Sequence, residues 1–327
     1  MIQGDSTMTF RKISHIFLGV ALFLGLGVDS VKAEYPDKPI TLILPLGAGG
    51  SHDRNARVFT SVIPQFLGNA MIVKLMPGAS GQVGTAAAAK AKPDGYTLLF
   101  THNYYDQLQQ HVKKLPYNTT KDFVTVAQLN SGNFSVIVKS SSPFKKWSDL
   151  VNFAKANPGK LKFAHSGNWG ATHTPALQLF KESGIAGKIT MVPYKGGGPS
   201  MRGFLADEAD FTMQFKSTIL GQKQNVRVLI SAGSKTSFPG APTFKDLGYS
   251  EGLGLMRRIL MAQRGIPADR LSKLRKAMKD IQGFKTYKRL IKAIGEITDF
   301  IDGAEYEKMR PKQNTAYKEL VKSLAGK

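Results

Sequence analysis

The chain has 327 residues, 42% hydrophobic and 21% charged, with a formal net charge of +22 and no cysteine. That length asks for about two domains, and the composition excludes bulk disorder and collagen-like repetition. The lack of cysteine excludes disulfides, thiolate catalysis, Cys-ligated metals and a lipid-modified cysteine.

So positive a balance favours an anionic partner: nucleic acid, an anionic surface or an anionic small molecule. The lysines are spread along the chain, with no arginine-rich arm and no RNA-binding aromatic signature, so nucleic acid is not expected. Most of this charge reads as solvated surface whose long-range field draws anionic ligands.

Arg11 and Lys12 precede an uncharged apolar run, Ile16 to Val28, and VKA follows at 31–33. A basic start, a short apolar core and a small-residue end describe a secretory signal peptide over 1–33, cleaved after about Ala33. The run is about 13 residues, short of the roughly 20 that cross a bilayer. Export also argues against nucleic acid as a partner.

Taken in chain order, ITLILP (40–45) reads as a buried parallel strand. A helix follows over 54–68, closed by Gly68, then a strand, MIVKLM (71–76). An alanine-rich helix over 81–92 stops at Pro93-Asp94-Gly95, and YTLLF (96–100) is the next strand. This β-α-β-α-β order predicts a doubly wound parallel sheet. A second set begins with the strand FSVIVK (134–139) and the helix 147–156. It continues with the strand 160–167, the helix 173–184, the strand 189–198, the short helix 201–208, and strands over 209–215 and 226–233. The segments 269–282 and 315–327 are helical and are expected to pack back on the first lobe. The fold class is α/β in two lobes, each a mostly parallel sheet flanked by helices. Chain crossings fall near 135 and 235–255, with a cleft between the lobes.

Chemistry-bearing residues gather where strands end. ILPLGAGGSHD (43–53) joins a strand to a helix through Gly47, Gly49 and Gly50, and such a turn lets backbone amides approach an anion. It lacks the full G-x-G-x-x-G fingerprint, and no G-x-x-x-x-G-K-[ST] loop occurs anywhere. AHSGNWGATHT (164–174) offers Ser166, Asn168, Thr172 and Thr174 as neutral donors. VPYKGGGPS (192–200) offers backbone amides, Ser200 and Lys195. THNYYD (101–106), with Asn103, Tyr104 and Tyr105, follows the third strand. Strand-end loops from both lobes point to a site at the interface. There is no G-x-S-x-G elbow, no H-E-x-x-H and no nucleophile with a partnered base. His165 and His173, eight apart across a glycine loop, are poorly spaced for a metal.

These loops, in this order, resemble the substrate-binding proteins of tripartite tricarboxylate transporters, the Bug (TctC) receptor family. The resemblance runs from about Tyr35 nearly to the end. It is carried by YPDKPITLILPLGAGGSHD, PGASGQVG with KPDGYTLLF, ANPGKLKFAHSGNWGATHT, VPYKGGGPS and GIPADRL. It implies a periplasmic, two-lobe Venus-flytrap protein of type II. Lobe 1 would be 34–136 plus 255–327 and lobe 2 would be 137–254. Such a protein binds a small carboxylate, di- or tricarboxylate or aromatic acid, without transforming it. Its partners are the large and small membrane permease subunits. No metal, cofactor or nucleic acid is expected, and the protein is expected to be a monomer. Ligand contacts carried over by the resemblance are Gly49, Gly50, Ser51, Asp53, Ser166, Asn168, Thr172, Gly197 and Gly198. Asn103 joins them from the third-strand loop. Gln214 stands where many relatives carry an acid, which disfavours an amino ligand and favours a more negative one. Arg258, beside Arg257, could reach a distal carboxylate by a bidentate pair. Two alternative functions stay open: a receptor presenting its ligand to a sensor kinase, and an exported α/β hydrolase.

Overall fold

A computed structural model describes Met1 and residues 34–233, 238–250 and 255–325. The expected leader over 2–33 lies outside these residues. The chain from Pro36 onward forms one compact unit, to which the fold belongs. Among the described residues no helix is long and apolar enough to cross a membrane.

Two sheets organise this unit. The first has the strand order β11-β4-β10-β3-β1-β2, built from β1 (Ile40–Leu44), β2 (Met71–Leu75), β3 (Thr97–His102), β4 (Phe123–Gly132), β10 (Met256–Gln263) and β11 (Ile297–Asp302). The second has the order β7-β6-β8-β5-β9, built from β5 (Phe134–Lys139), β6 (Leu161–His165), β7 (Ile189–Pro193), β8 (Phe211–Phe215) and β9 (Val226–Ser231). The helices that matter for the site and core are α1 (Ser51–Val62), α2 (Gln82–Ala89), α3 (Trp147–Ala156), α4 (His173–Glu182), α5 (Gly197–Leu205), α6 (Ala268–Asp280), α7 (Lys285–Ala293) and α8 (Gly303–Ala325). β1 lies between β2 and β3 and is buried almost throughout, as a strand covered on both faces must be, so it reads as a nearly unbroken apolar run. β2 is an edge strand, alternates in burial, and carries Lys74 outward, which blunts the edge.

Both sheets are mixed where the expectation was mostly parallel. β1 pairs in parallel with β2 and β3, and β6 with β7 and β8. The strands that carry the chain between sheets enter from the opposite end and pair antiparallel. β10 lies between β3 and β4 in this way, and β5 between β8 and β9. Only Asn133 separates β4 of the first sheet from β5 of the second.

β4, β10 and β11 went unassigned in the sequence because buried polar residues interrupt the apolar runs of β4 and β10, and residues 298–302 of β11 are half-buried or exposed. Gln128, Asn130 and Arg258 are buried. Gln128 donates to Asp299 O at 2.7 Å, Asn130 to Asn55 Oδ1 at 2.6 Å, and Arg257 Nη1 to Gln128 Oε1 at 3.1 Å. Hydrogen bonding makes that burial tolerable, but it erases the alternation that marks a strand.

The last helix starts at Gly303, not 315, and continues through Pro311. It does not rest on the first sheet alone. Glu307 accepts from Thr125 N at 2.9 Å, and Tyr306 packs with Ile43, Leu99 and Ile259 around the first sheet. Tyr317 and Val321, near its other end, join the core of the second sheet with Phe134, Trp147 and Phe211.

Candidate ligand site between the two sheets

Parallel strands of an open α/β sheet leave their ligand crevice outside the carboxyl ends, and the loops that follow β1, β6 and β7 meet there. β1 runs through Pro45 to Gly50 into α1, whose N-cap is Gly50 with no side-chain cap. The first-turn amides of Ser51, His52 and Asp53 are therefore left to an outside acceptor. β7 runs through Lys195 into α5, whose N-cap is Gly196, again with no side-chain cap. Pro199 has no N–H, so Gly197 and Gly198 are the amides α5 offers. The two loops touch. Gly47 N donates to Lys195 O at 2.8 Å, and a Cβ on Gly50 would fall 2.9 Å from Gly198 N. Two positive helix ends from opposite sheets thus face one space, an arrangement that favours an anion.

That space is a cavity of about 20 Å³, room for about one water. Of the residues expected to bind ligand, Gly50, Ser51, Ser166, Thr172 and Gly197 line it. The sequence did not single out the apolar part of the wall, Leu46, Ala171, Phe215 and Met256, or the imidazoles of His52 and His102. Phe215 and Met256 sit at strand ends next to the sheet crossings, and that position was the available signal.

Donor accounting separates the hydroxyls. Ser51 Oγ donates to Glu296 Oε1 at 3.1 Å and accepts from Arg258. Its proton is spent inside the protein, and toward an anion Ser51 has its backbone amide. Thr172 Oγ1 accepts from Ser166 N at 2.9 Å and donates to Ser166 Oγ at 2.9 Å. The Ser166 hydroxyl keeps its proton for the cavity.

The other expected contacts lie elsewhere. Asp53 accepts from Gly49 N at 2.9 Å and pairs with Arg57 at 3.0 Å, so it pins the loop while Gly49 supplies the left-handed turn (φ 80). Gly198 is the loop-to-loop contact. Asn103 is consumed at the sheet crossing, donating to Leu255 O at 3.0 Å and to Tyr317, and accepting from Arg257 N at 2.9 Å. Asn168 is exposed. Gln214 is buried beneath α5, donating to Ser200 Oγ at 2.7 Å and Thr212 Oγ1 at 3.1 Å. Arg258 is buried in an ion pair with Glu296, through Nη1 at 3.2 Å and Nη2 at 3.0 Å. Its guanidinium lies 5.6 Å from the Phe215 ring centre. These seven side chains or turns shape the site without walling the cavity.

The histidines flank the site in two pairs. His52 and His102 have ring centres 5.4 Å apart, and His165 and His173 4.4 Å apart. Among the described residues no group of His, Asp and Glu could hold a metal. Burial pushes His102 and His173 down to about 3 and His165 to about 4, and holds His52 well below its usual range. The unfolded chain protonates these rings near 6.5, so below that pH it binds more protons than the folded form. Stability is therefore complete above about pH 6.5 and is lost as pH falls toward 4. Between pH 7 and 5, above the carboxylate range, the thermal midpoint is expected to drop, and His165→Phe to flatten the drop. A midpoint unchanged over that interval would contradict this.

Comparison with known proteins gives the family and the fold. The model of the tripartite tricarboxylate transporter family receptor matches residues 55–325. The protein BugT of Bordetella pertussis is 30% identical over 258 residues, 76% of this chain and 77% of its own. A solved structure described as a periplasmic transporter is 29% identical, with a TM-score of 0.82 over 88% of this chain and 97% of its own. An R. palustris protein solved with adipate shares the fold, with a TM-score of 0.82 and 21% identity over 89% of this chain and 99% of its own. With the family model covering most of its length, the chain belongs to the tripartite tricarboxylate transporter receptors, a family of periplasmic solute-binding proteins.

Proposed function

We propose that the protein captures a small carboxylate between lobes built on its two sheets and delivers it to the membrane permease subunits of a tripartite transporter. Residues 34–136 with 255–327 would form one lobe and 137–254 the other. Export to the periplasm would follow cleavage of the leader near Ala33. The observation that carries the reading is the meeting of two uncapped helix N-termini, α1 and α5, beside the free hydroxyl of Ser166. One carboxylate placed there touches both lobes. It therefore favours the arrangement in which they approach and shifts the open–closed balance. The cavity has room for about one water, so the loops must part for a ligand to enter. The site binds and does not transform: Ser51 spends its proton on Glu296, and His52 Nε2 bonds Thr101 O at 2.9 Å.

The test is thermal unfolding of the mature, denatured and refolded protein against mono-, di- and tricarboxylates, aromatic acids and amino acids. A ligand at about a hundred times its Kd stabilises by roughly 2.7 kcal/mol, enough for a shift of several degrees. A shift with one class of acid is expected, and none with any acid would overturn the reading. Ser166→Ala should then weaken that acid about 10- to 100-fold in titration calorimetry, the worth of one hydrogen bond to a charged group. An unchanged affinity would remove Ser166 from the site.

A further inference from the structure

The cavity is short of cations in a way that limits its ligand. None of the residues lining it is Lys, Arg, Asp or Glu. The two helix ends lie against each other at Gly50 and Gly198, so they make one anion site and not two. His52 and His102 are buried against the guanidinium of Arg258, and both burial and that charge keep them neutral. Arg54 and Arg202 are exposed, and each bonds a loop carbonyl, Gly49 O and Ala48 O, at 3.4 Å.

Arg258 touches the wall from behind, in contact with Ser51 and over Phe215. Both of its Nη atoms are already held by a carboxylate of the same chain, while its Nε is buried without a partner. Glu296, in the turn between α7 and β11, takes both Nη atoms of Arg258 and the proton of Ser51. The pair is buried on both sides, with side-chain exposures of 0% and 4%. Asn130 Oδ1 accepts a further hydrogen bond from Arg258 at 3.1 Å. A buried guanidinium so compensated offers little to a second anion, and a second carboxylate without a cation bears its full desolvation cost.

Building on the carboxylate reading above, we infer that the site selects a monocarboxylate with an uncharged, apolar body, and that Glu296 sets this selectivity by occupying Arg258. The carboxylate rests on the amides of α1 and α5 and on Ser166. The body lies against Leu46, Ala171, Phe215 and Met256 as the loops part to admit it. This opposes the expectation drawn from Gln214 of a more negative ligand.

Titration calorimetry on the refolded protein with two matched pairs tests it: hexanoate against adipate, and benzoate against terephthalate. In the wild type at least one monocarboxylate is expected to bind about tenfold or more tighter than its dicarboxylate partner. In Glu296→Gln, which keeps the side-chain shape and frees Arg258 of its counter-charge, that ratio is expected to fall about tenfold or reverse. Adipate or terephthalate binding tighter than its partner in the wild type overturns the inference and leaves the carboxylate receptor standing. Failure of all four acids to bind overturns the inference, and the carboxylate reading falls with it only if the wider acid panel also gives no thermal shift. The wild-type ratio decides by itself if the variant does not fold.

Discussion

Gly198→Ala is expected to weaken carboxylate binding about 5- to 150-fold without harming the fold. A Cβ at this position would fall 2.7 Å from Gly50 N and 2.8 Å from Gly49 C, and would overlap Ala48 O. All three are backbone atoms of the opposite loop, which cannot rotate away. Overpacking of this kind costs about 1–3 kcal/mol, and each 1.4 kcal/mol is tenfold in affinity. The local fold gains, because Gly198 lies in the first turn of α5 and alanine is favoured over glycine in a helix by up to about 1 kcal/mol. Titration calorimetry read together with the circular dichroism melt separates the two effects. Affinity within twofold of wild type would mean that closure does not bring these loops together.

A second large effect is expected far from the cavity, on stability. Asp106 and Arg310 are both buried. They are joined by Nη2 to Oδ1 at 2.6 Å and Nε to Oδ2 at 3.2 Å, and the same guanidinium reaches Thr119 O at 3.0 Å. The pair fastens the middle of α8 to the segment after β3. Asp106→Ala removes the buried carboxylate that takes two of the guanidinium's nitrogens and leaves it only the part-exposed Glu307, 3.0 Å from Nη1, and is expected to cost about 3 kcal/mol in urea unfolding. Lys322→Ala, at a pair with Glu319 that is exposed on both sides, is expected to cost under about 1 kcal/mol. Equal losses for the two variants would contradict this assignment.

The fold was legible where apolar period and turn chemistry coincide. The strands ITLIL and FSVIV, the glycine stops and the α4 start follow from residue pattern, whereas α5 begins at Gly197, four residues before the expected 201, because the glycines read as loop form its first turn. The last helix was half legible: Pro311 hid its first part, and contacts to both sheets through Tyr306 and Tyr317 cannot be read from one segment. The site was legible as loops and not as side chains. Gly50, Ser51, Ser166, Thr172 and Gly197 reach the cavity because glycine turns and strand ends place them there. Asp53, Asn103, Gln214 and Arg258 are of a type that binds ligands, but each already bonds an internal partner. Glu296 shows why sequence could not reveal this: it meets Ser51 from 245 positions away. The same long-range pairing turned Arg258 from a free cation into a compensated one.

The claim that the two lobes close on one small carboxylate is tested most directly by small-angle scattering of the refolded protein, with and without the acid that gives the largest thermal shift. A smaller radius of gyration is expected with the acid in the wild type, and no such change in Gly198→Ala at the same acid concentration. A wild-type radius unchanged at saturation, with binding confirmed by calorimetry, would contradict closure and place the ligand on one lobe alone.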